Sequence, residues 1–263
     1  MPVEVVHWNP IRRRGGAFGQ FLPKRPVNNF GDLIGPALVA RITSDMRLRE
    51  PGDNKRLVSV GSIMHFARSG DVVWGTGING KELSKPIPED LDVRAVRGPR
   101  TRELLQARGV HVPEVFGDPA LLWSHFWPLD SYIAENPKAH RREVTVVPNF
   151  HDLGRMRGPH VVSPIGSPFD VVRQIALSKF VCGSSLHGIA LAESFGIPAR
   201  LIVPGAEASF KYDDYYAGTG RRTYKPARTA AEAIDMGGER GPEFDASKLL
   251  GAFPMDLWDE ASR

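Results

Sequence analysis

The stretch VCGSSLHGIALAESFG, residues 181–196, places two serines and a histidine at the start of an apolar helix. Ser184 and Ser185 precede the predicted helix, and His187 falls in its first turn. Free amides at a helix N-terminus attract anions, hydroxyl groups add donors, and an imidazole can donate a hydrogen bond or a proton. The stretch predicts an anion site, with a serine N-cap beside a core histidine as the alternative. It lacks the spacing of a G-x-S-x-G nucleophile elbow, which argues against a hydrolase.

Two glycine-containing turns could also bind a ligand. In NNFGD, residues 28–32, Asn29 and Asp32 precede or open a predicted helix and could present oxygen atoms to a ligand hydroxyl. In WGTG, residues 74–77, two glycines end an apolar strand and would allow close approach of a ligand to the backbone. The alternative for NNFGD is a capped helix without a ligand, and the alternative for WGTG is a plain turn. WGTG also lacks the third glycine of a dinucleotide-binding fingerprint.

Three cations are candidates for binding an anionic substrate. Arg97 leaves a strand in VRGPRTRELL, and Arg100 lies in the first helical turn, where a guanidinium opposes the helix dipole unless an anion neutralises it. Lys211 lies in FKYDDYYAGTGRR, residues 210–222, which is predicted to be a glycine-terminated mobile loop over an anion or a sugar. A solvated basic turn and an ordinary surface loop are the alternatives.

Composition limits the class of protein. The 263 residues are 41% apolar and 24% charged, as in soluble globular proteins, and the apolar runs are too short to span a membrane. The single cysteine excludes a disulfide framework within the chain and a multi-cysteine zinc site, and the N-terminal residues do not resemble a signal peptide, so a cytoplasmic location is expected. A net charge of +4 favours an anionic substrate or membrane surface, whereas no basic stripe interleaved with aromatics predicts nucleic-acid binding.

Strand and helix patterns alternate twice along the chain, with a break near its middle. This order predicts an α/β protein with two Rossmann-like, doubly wound domains facing each other across a cleft. The predicted domains are residues 1–125 and 142–263, joined by an inter-domain crossing at residues 126–141. Ligands of such sheets bind at the carboxyl ends of the strands, where the turns described above fall.

Taken in order, these segments resemble the polysaccharide pyruvyl transferase family. The resemblance covers most of residues 28–216, and it is closest to the bacterial type that places a pyruvate ketal on an exopolysaccharide sugar. The resembling segments are NNFGDLIGPAL, VGSIMHFARSGDVVWGTG, VRGPRTRELLQARGV, VFGDPALLW, VVPNFHD, CGSSLHGIALAESFGIPARLI and FKYDDYY. The fold implied is similar to that of GT-B glycosyltransferases, which also have two Rossmann domains.

The resemblance implies transfer of pyruvate from phosphoenolpyruvate to two hydroxyls of a sugar, with release of phosphate. The C-terminal domain would hold the donor and the N-terminal domain the acceptor. Many family members carry an arginine where this chain has Ser185, so other cations must replace it. The expected donor-binding residues are Arg97, Arg100, Ser184, Ser185, His187 and Lys211. The expected acceptor-binding residues are Asn29, Asp32, His65 and Asn149.

His187 is the expected acid or phosphate-binding donor, and Asp32 the expected base for the sugar hydroxyls. This chemistry requires no metal ion and no redox cofactor. The acceptor is expected to be a lipid-linked oligosaccharide, and the basic surface could help the protein associate peripherally with the inner face of a membrane.

The sequence leaves two alternative functions open. A GT-B glycosyltransferase that uses a nucleotide sugar would need an acidic contact to the ribose, for which Glu193 is a candidate. A non-catalytic protein that binds sugar or phosphate is the other alternative, because the family arginine is absent.

Overall fold

The structure is a computed structural model that describes residues 3–13, 23–137 and 141–259. The strands within these residues are β1 (Glu4–Val6), β2 (Ile11–Arg12), β3 (Arg25–Pro26), β4 (Arg56–Val58), β5 (Val72–Trp74), β6 (Asp92–Ala95), β7 (Thr145–Val146), β8 (Val181–Gly183) and β9 (Ala199–Leu201). The helices are α1 (Phe30–Asp45), α2 (Pro99–Gln106), α3 (Trp123–Phe126), α4 (Leu129–Glu135), α5 (Pro168–Ala176), α6 (Leu186–Ser194), α7 (Phe210–Gly218), α8 (Ala230–Met236) and α9 (Ala246–Gly251). Short 3-10 helices lie at Met64–Phe66, Pro119–Leu122, Phe150–Asp152 and Met255–Leu257.

The first half of the chain builds a four-stranded parallel sheet in the order β1-β4-β5-β6. Its strands are short apolar runs such as Val72–Trp74, which is buried on both faces, as expected for a parallel sheet covered on both sides. The long helix α1 connects β1 to β4 and buries Ile34, Leu38 and Ile42. These side chains recur at helical spacing, which is the pattern that predicts the helix from the sequence.

The second half builds a separate three-stranded parallel sheet in the order β7-β8-β9. Helix α5 precedes β8, and helix α6 follows it after a turn of two residues. A two-stranded antiparallel ribbon of β2 and β3 lies outside both sheets. Parallel strands alternating with helices confirm the predicted mixed α/β class, whereas the two-domain GT-B-like arrangement and its boundaries stay a prediction.

One apolar cluster includes residues from both halves of the chain. It joins Phe30 and Ile34 of α1 to Leu186 and Ile189 of α6, and it includes Ala120 of the 3-10 helix Pro119–Leu122. Helix α6 packs against that 3-10 helix, and α1 packs against α5. The two sheets are therefore connected by a shared hydrophobic core as well as by the chain.

Two segments bear on the sequence-based expectation. The predicted crossing stays a prediction; within it Leu129–Glu135 form helix α4, and Tyr132 of α4 is buried and accepts a hydrogen bond from the Trp123 indole at 3.0 Å. Residues 138–140 of that crossing lie outside the described residues. The predicted mobile loop at 210–222 is wrong for its first nine residues, which form helix α7 with buried Tyr212, Tyr215 and Tyr216. Burial of the three aromatic rings favours the helix over a loop.

A buried ion pair joins the end of β6 to helix α7. The Arg97 Nε donates to Asp214 Oδ2 at 3.0 Å, and the two side chains are 1% and 0% exposed. Asp214 also accepts hydrogen bonds from the backbone N–H and the hydroxyl of Thr101 on α2. Gly98 has no space for a side chain, because a Cβ there would overlap the Asp214 carbonyl oxygen. This contact sets how α2 packs against α7.

We expect Asp214→Ala to lower the free energy of unfolding by about 3–5 kcal/mol, since it would leave the Arg97 charge buried without its partner. Urea denaturation followed by circular dichroism measures this change. Asp170→Ala is the matched control, because Asp170 forms an exposed pair with Arg173 that should contribute less than about 1 kcal/mol. Equal losses in the two variants would contradict the structural importance of the buried pair.

Candidate active site

A cleft of about 460 Å³ lies at the carboxyl ends of strands from both sheets. Ser62 follows β4, Arg97 follows β6, Asn149 follows β7 and Ser185 follows β8. Eight of the ten residues that the sequence predicts for the site line this cleft. They are Asn29, Asp32, His65, Arg97, Asn149, Ser185, His187 and Lys211.

The turn before α6 is held by both of its serines. Ser185 is the N-cap of α6, and its hydroxyl accepts from the Gly188 N–H at 3.2 Å. The Ser184 hydroxyl accepts from the Asn149 N–H at 3.0 Å, and its carbonyl accepts from the Tyr212 hydroxyl at 2.7 Å. Ser184 is fully buried and is not among the residues that line the cleft, so the structure gives it a role in holding the turn and places only Ser185 at the cleft.

The His187 ring lies between α1 and the turn that contains Asp118. A Cβ at Gly31 would overlap the His187 Nδ1, so the second residue of α1 must be glycine for the ring to occupy this position. On the other side of the ring, Nε2 lies 3.9 Å from Asp118 Oδ2. Burial lowers the pKa of His187, and the positive charges of Lys211 and Arg97 lower it further against the opposing effect of Asp118. The lowered pKa favours the neutral form of the imidazole at pH 7.

Asp32 is a carboxyl group with a raised pKa on the first turn of α1. Burial raises its pKa to about 6, although the Asn29 amide donates to its Oδ2 at 2.5 Å and Lys211 lies near enough to oppose the shift. Asn29 thus binds the Asp32 carboxylate instead of capping the helix with its side chain. A group with a pKa near 6 can take up and release a proton close to neutral pH, as a general base must.

Lys211 projects from α7 into the cleft and pairs with a glutamate that the sequence analysis missed. Its Nζ lies 2.9 Å from Glu207 Oε2, and Lys81 lies 3.0 Å from Oε1 of the same glutamate. Burial lowers the pKa of Lys211, with the pair to Glu207 acting against the shift. One carboxylate between two lysines leaves an excess of positive charge here. Lys81 and Glu207 are 126 residues apart, so no local pattern could have indicated the contact.

Arg97 reaches the cleft with only part of its hydrogen-bonding capacity free. Besides Asp214, its guanidinium donates to the Ser62 hydroxyl at 2.6 Å and to the Ile78 carbonyl at 3.1 Å. These contacts use three of the five N–H donors of an arginine. Gly77 of the WGTG turn is needed for this arrangement, since a Cβ there would overlap the guanidinium. The glycine therefore accommodates a side chain of the protein, which differs from the predicted close approach of a ligand.

Arg100 is not brought to the cleft. It is about half exposed and pairs with Asp213 of α7 at 3.0 Å. The carboxylate of a neighbouring helix thus neutralises the guanidinium in the first turn of α2. The expected donor-binding role of Arg100 is not supported by its position, and Arg97 and Lys211 are the predicted cations that line the cleft.

The cleft is also lined by aromatic and amide side chains. His65, on the 3-10 helix Met64–Phe66, has a pKa lowered by burial, and Asn149 caps the 3-10 helix Phe150–Asp152. Trp8 and Phe150 also line the cleft and contact each other edge to face, with ring centroids 5.8 Å apart. The sequence analysis missed this aromatic pair. It joins the segment after β1 to the segment after β7, which are far apart in the chain.

Comparison with known proteins gives the family. Residues 41–205 match the family model described as polysaccharide pyruvyl transferase. The chain belongs to this family. The match covers more than half of the chain and includes the residues of the cleft from His65 to Ser185 and His187.

The chain is also similar to the succinoglycan biosynthesis protein ExoV of Rhizobium meliloti (strain 1021). The two are 29% identical over 216 residues, and the match covers 76% of this chain and 66% of ExoV. A solved structure, that of the uncharacterized protein KP1_0663 from Klebsiella pneumoniae subsp. pneumoniae NTUH-K2044, aligns with a TM-score of 0.44 at 12% identity. That alignment covers 72% of this chain and 83% of KP1_0663.

Two further observations on this pyruvyl transferase family member concern the alternatives considered above. Glu193, the candidate ribose contact of a nucleotide-sugar enzyme, has a buried side chain on α6 that accepts hydrogen bonds from both terminal nitrogens, Nη1 and Nη2, of Arg221 and from the Tyr215 hydroxyl. It does not line the cleft, which removes it as a ribose contact. Among the described residues, no helix is long and apolar enough to cross a membrane.

We expect Gly31→Ala to lower the free energy of unfolding by about 1–3 kcal/mol, because the added methyl group would displace the His187 ring. Urea denaturation followed by circular dichroism measures this change. Gly251→Ala on α9 is the control, since no atom lies within 4 Å of the Cβ it would add. Equal stability of the two variants would show that Gly31 does not fix the ring position.

We expect Asp32→Asn to stabilise the protein at pH 8 but not at pH 4. The folded-state pKa of Asp32 is about 6, above the ordinary 3.8, so the contribution of this group to stability is complete below pH 3.8 and is lost as pH rises through 6. The neutral amide escapes this loss, which is about 3 kcal/mol. Denaturant unfolding at both pH values measures it, with the exposed Asp45→Asn as control. No gain at pH 8 would contradict the raised pKa.

Proposed function

We propose that this protein transfers pyruvate from phosphoenolpyruvate to two hydroxyls of one sugar in an exopolysaccharide or cell-surface glycan unit, forming a pyruvate ketal and releasing phosphate. The observation that carries the proposal is one cleft in which an imidazole, a carboxyl group with a pKa near 6 and buried cations converge, in a chain of the polysaccharide pyruvyl transferase family. The activity is therefore that of a pyruvyltransferase.

The donor binds at the cationic part of the cleft. Phosphoenolpyruvate carries a carboxylate and a phosphate, and both need hydrogen-bond donors and positive charge. Arg97 offers its remaining N–H groups, Lys211 offers an ammonium group, and the N-terminus of α6 lines the same cleft. Lys81 and Lys211 together take the place of the arginine that many family members carry at the position of Ser185.

The reaction begins with a proton transfer to the methylene carbon of phosphoenolpyruvate. The negative charge of the bound donor raises the pKa of the adjacent His187, which then holds a proton and donates it to C3. A sugar hydroxyl attacks the cation-like C2 while its proton passes to Asp32, which is mostly ionised at pH 7. The C2–O bond to phosphate breaks, the second hydroxyl closes the ketal ring, and its proton passes to the departing phosphate. Asp32 then releases the first hydroxyl's proton to solvent, and His187 takes up a proton again when the next donor binds. Phosphoenolpyruvate and the diol thus give the ketal and inorganic phosphate.

The acceptor occupies the remaining part of the cleft. Asn29, His65 and Asn149 supply polar contacts to sugar hydroxyls, and the rings of Trp8 and Phe150 supply an apolar surface for the C–H face of a sugar. A lipid-linked oligosaccharide is the proposed acceptor. The net charge of +4 would favour peripheral association with the inner face of an anionic membrane.

Phosphate release from phosphoenolpyruvate tests the proposal. Release is measured with and without a mixed panel of galactosides, mannosides and glucosides. We expect acceptor-dependent release that falls by about 10²–10⁴-fold in His187→Ala, which lacks the proton donor. His111→Ala, with an exposed histidine outside the cleft lining, should retain the parent rate. All reacting atoms come from donor, acceptor and side chains, so the rate should also persist in a metal chelator.

Calorimetric titration with phosphoenolpyruvate follows if the panel gives no release. Binding that weakens in Lys211→Met would retain the donor site and direct the search to other acceptors. Absence of binding would contradict the proposal. Turnover that is unchanged in His187→Ala would contradict the role of the imidazole.

A further inference from the structure

Two buried polar atoms face each other beside the cleft without a hydrogen-bond partner within the described residues. They are the Nε2 of His187 and the Oδ2 of Asp118, which lie 3.9 Å apart. Asp118 is fully buried, and the His187 side chain is 14% exposed. Unsatisfied buried polar atoms are costly, so two that face each other at a site of proposed chemistry require an explanation.

The local structure holds the Asp118 carboxylate in a fixed orientation. Asp118 is the N-cap of the 3-10 helix Pro119–Leu122, and its Oδ1 accepts from the Ala120 N–H at 3.0 Å. Helix α6 packs against this 3-10 helix, which brings its first turn, and hence His187, to the Oδ2. One carboxylate oxygen thus anchors the group to the backbone, and the other is directed at the imidazole.

We propose that Asp118 is the positioning residue of His187: it holds the Nε2–H tautomer of the imidazole and stabilises the imidazolium when the ring takes up a proton. This inference rests on the proposed function of His187 as the proton donor to phosphoenolpyruvate. It adds a residue to which the sequence analysis assigned no role and that does not itself line the cleft.

The arrangement assigns a different task to each ring nitrogen. With its proton on Nε2 directed at Asp118, the neutral imidazole carries its lone pair on Nδ1, which lies against Gly31 at the cleft wall. Nδ1 can therefore accept a proton when the donor binds and transfer it to C3 of phosphoenolpyruvate. Nε2 keeps its proton throughout, so the step needs no further proton acceptor.

Charges from several elements act on the ring. Lys211 of α7 and Arg97 after β6 oppose protonation of His187, and Asp118 favours it. Asp32 lies on α1 next to Gly31 and carries a negative charge above about pH 6. Asp118 is the carboxylate whose orphaned oxygen faces Nε2, so its removal should alter the tautomer as well as the charge state of the ring.

NMR of histidine-labelled protein without substrate tests the pairing directly. The ¹⁵N and ¹³C shifts of the His187 ring, identified by comparison with His187→Gln, report tautomer and pKa. We expect the Nε2–H tautomer in the parent. In Asp118→Asn the amide can keep the N-cap with its oxygen and present N–H to Nε2, which forces the Nδ1–H tautomer. The titration midpoint of His187 should fall by about 1 pH unit or more, because the negative charge of Asp118, which favours the protonated ring, is lost.

The kinetic arm measures kcat and KM for phosphoenolpyruvate across pH. We expect Asp118→Asn to lower kcat by about 10²–10³-fold with KM within about threefold, because the wrong tautomer blocks Nδ1 as a proton acceptor. Asp245→Asn is the matched control: Asp245 also caps a helix through its carboxylate, but it is exposed and does not line the cleft. If Asp118→Asn does not fold, Asp118→Ser retains an oxygen for the cap and removes the charge.

The outcomes separate this inference from the proposed function. An unchanged tautomer and midpoint in a folded Asp118 variant would overturn the pairing, whatever the activity. The expected NMR changes in a protein without activity toward phosphoenolpyruvate would support the pairing and contradict the proposed function. An altered tautomer with unchanged kcat in the variant would overturn the positioning role in the reaction.

Discussion

The buried pair of Arg97 and Asp214 is the constraint on which the geometry of the cleft depends. It joins the end of β6 to α7, and three hydrogen bonds to Asp214 from Arg97 and Thr101 leave little freedom between them. Lys211 precedes Asp214 by three residues on α7, so the two share one face of the helix. Anchoring Asp214 therefore also directs Lys211 toward the cleft. A cavity-filling apolar pair could give similar stability, but it would leave no guanidinium at the cleft wall.

The pKa shifts around the empty cleft have a common physical origin. Burial raises the pKa of Asp32 and lowers those of His187 and Lys211, so each group is shifted toward its uncharged form. Burial of these groups in their charged forms lowers the stability of the folded protein. An anionic donor would relieve the mutual repulsion of the cations and favour the imidazolium. Protonation of His187 would then be coupled to donor binding, which avoids holding an acidic imidazole in the empty site.

The sequence predicts the cleft residues best where the element that carries them leaves a strand. Arg97, Asn149 and His187 follow strands of parallel sheets, whose carboxyl ends converge, and all three line the cleft. Arg100 also follows β6, but it does not line the cleft. It pairs with Asp213 of α7, a contact that no local pattern indicates. Glu207 lies only four residues before Lys211, so its pair with Lys211 is local, and only its contact with Lys81 is long-range. The loop prediction after Phe210 failed because glycines and tyrosines suggested exposure, whereas the rings pack into the shared core.

The position of His187 bears on how the two halves of the chain can move. Its ring lies between Gly31 of α1 and Asp118, so residues before and after the middle of the chain must meet to build the site. Helices α1 and α6, which carry Gly31 and His187, also bury apolar side chains in one cluster. A hinge that separated these helices would expose that cluster to water at about 25 cal/mol per Å² and withdraw the imidazole from its carboxylate. Substrates are therefore expected to enter and leave the cleft while α1 and α6 stay packed.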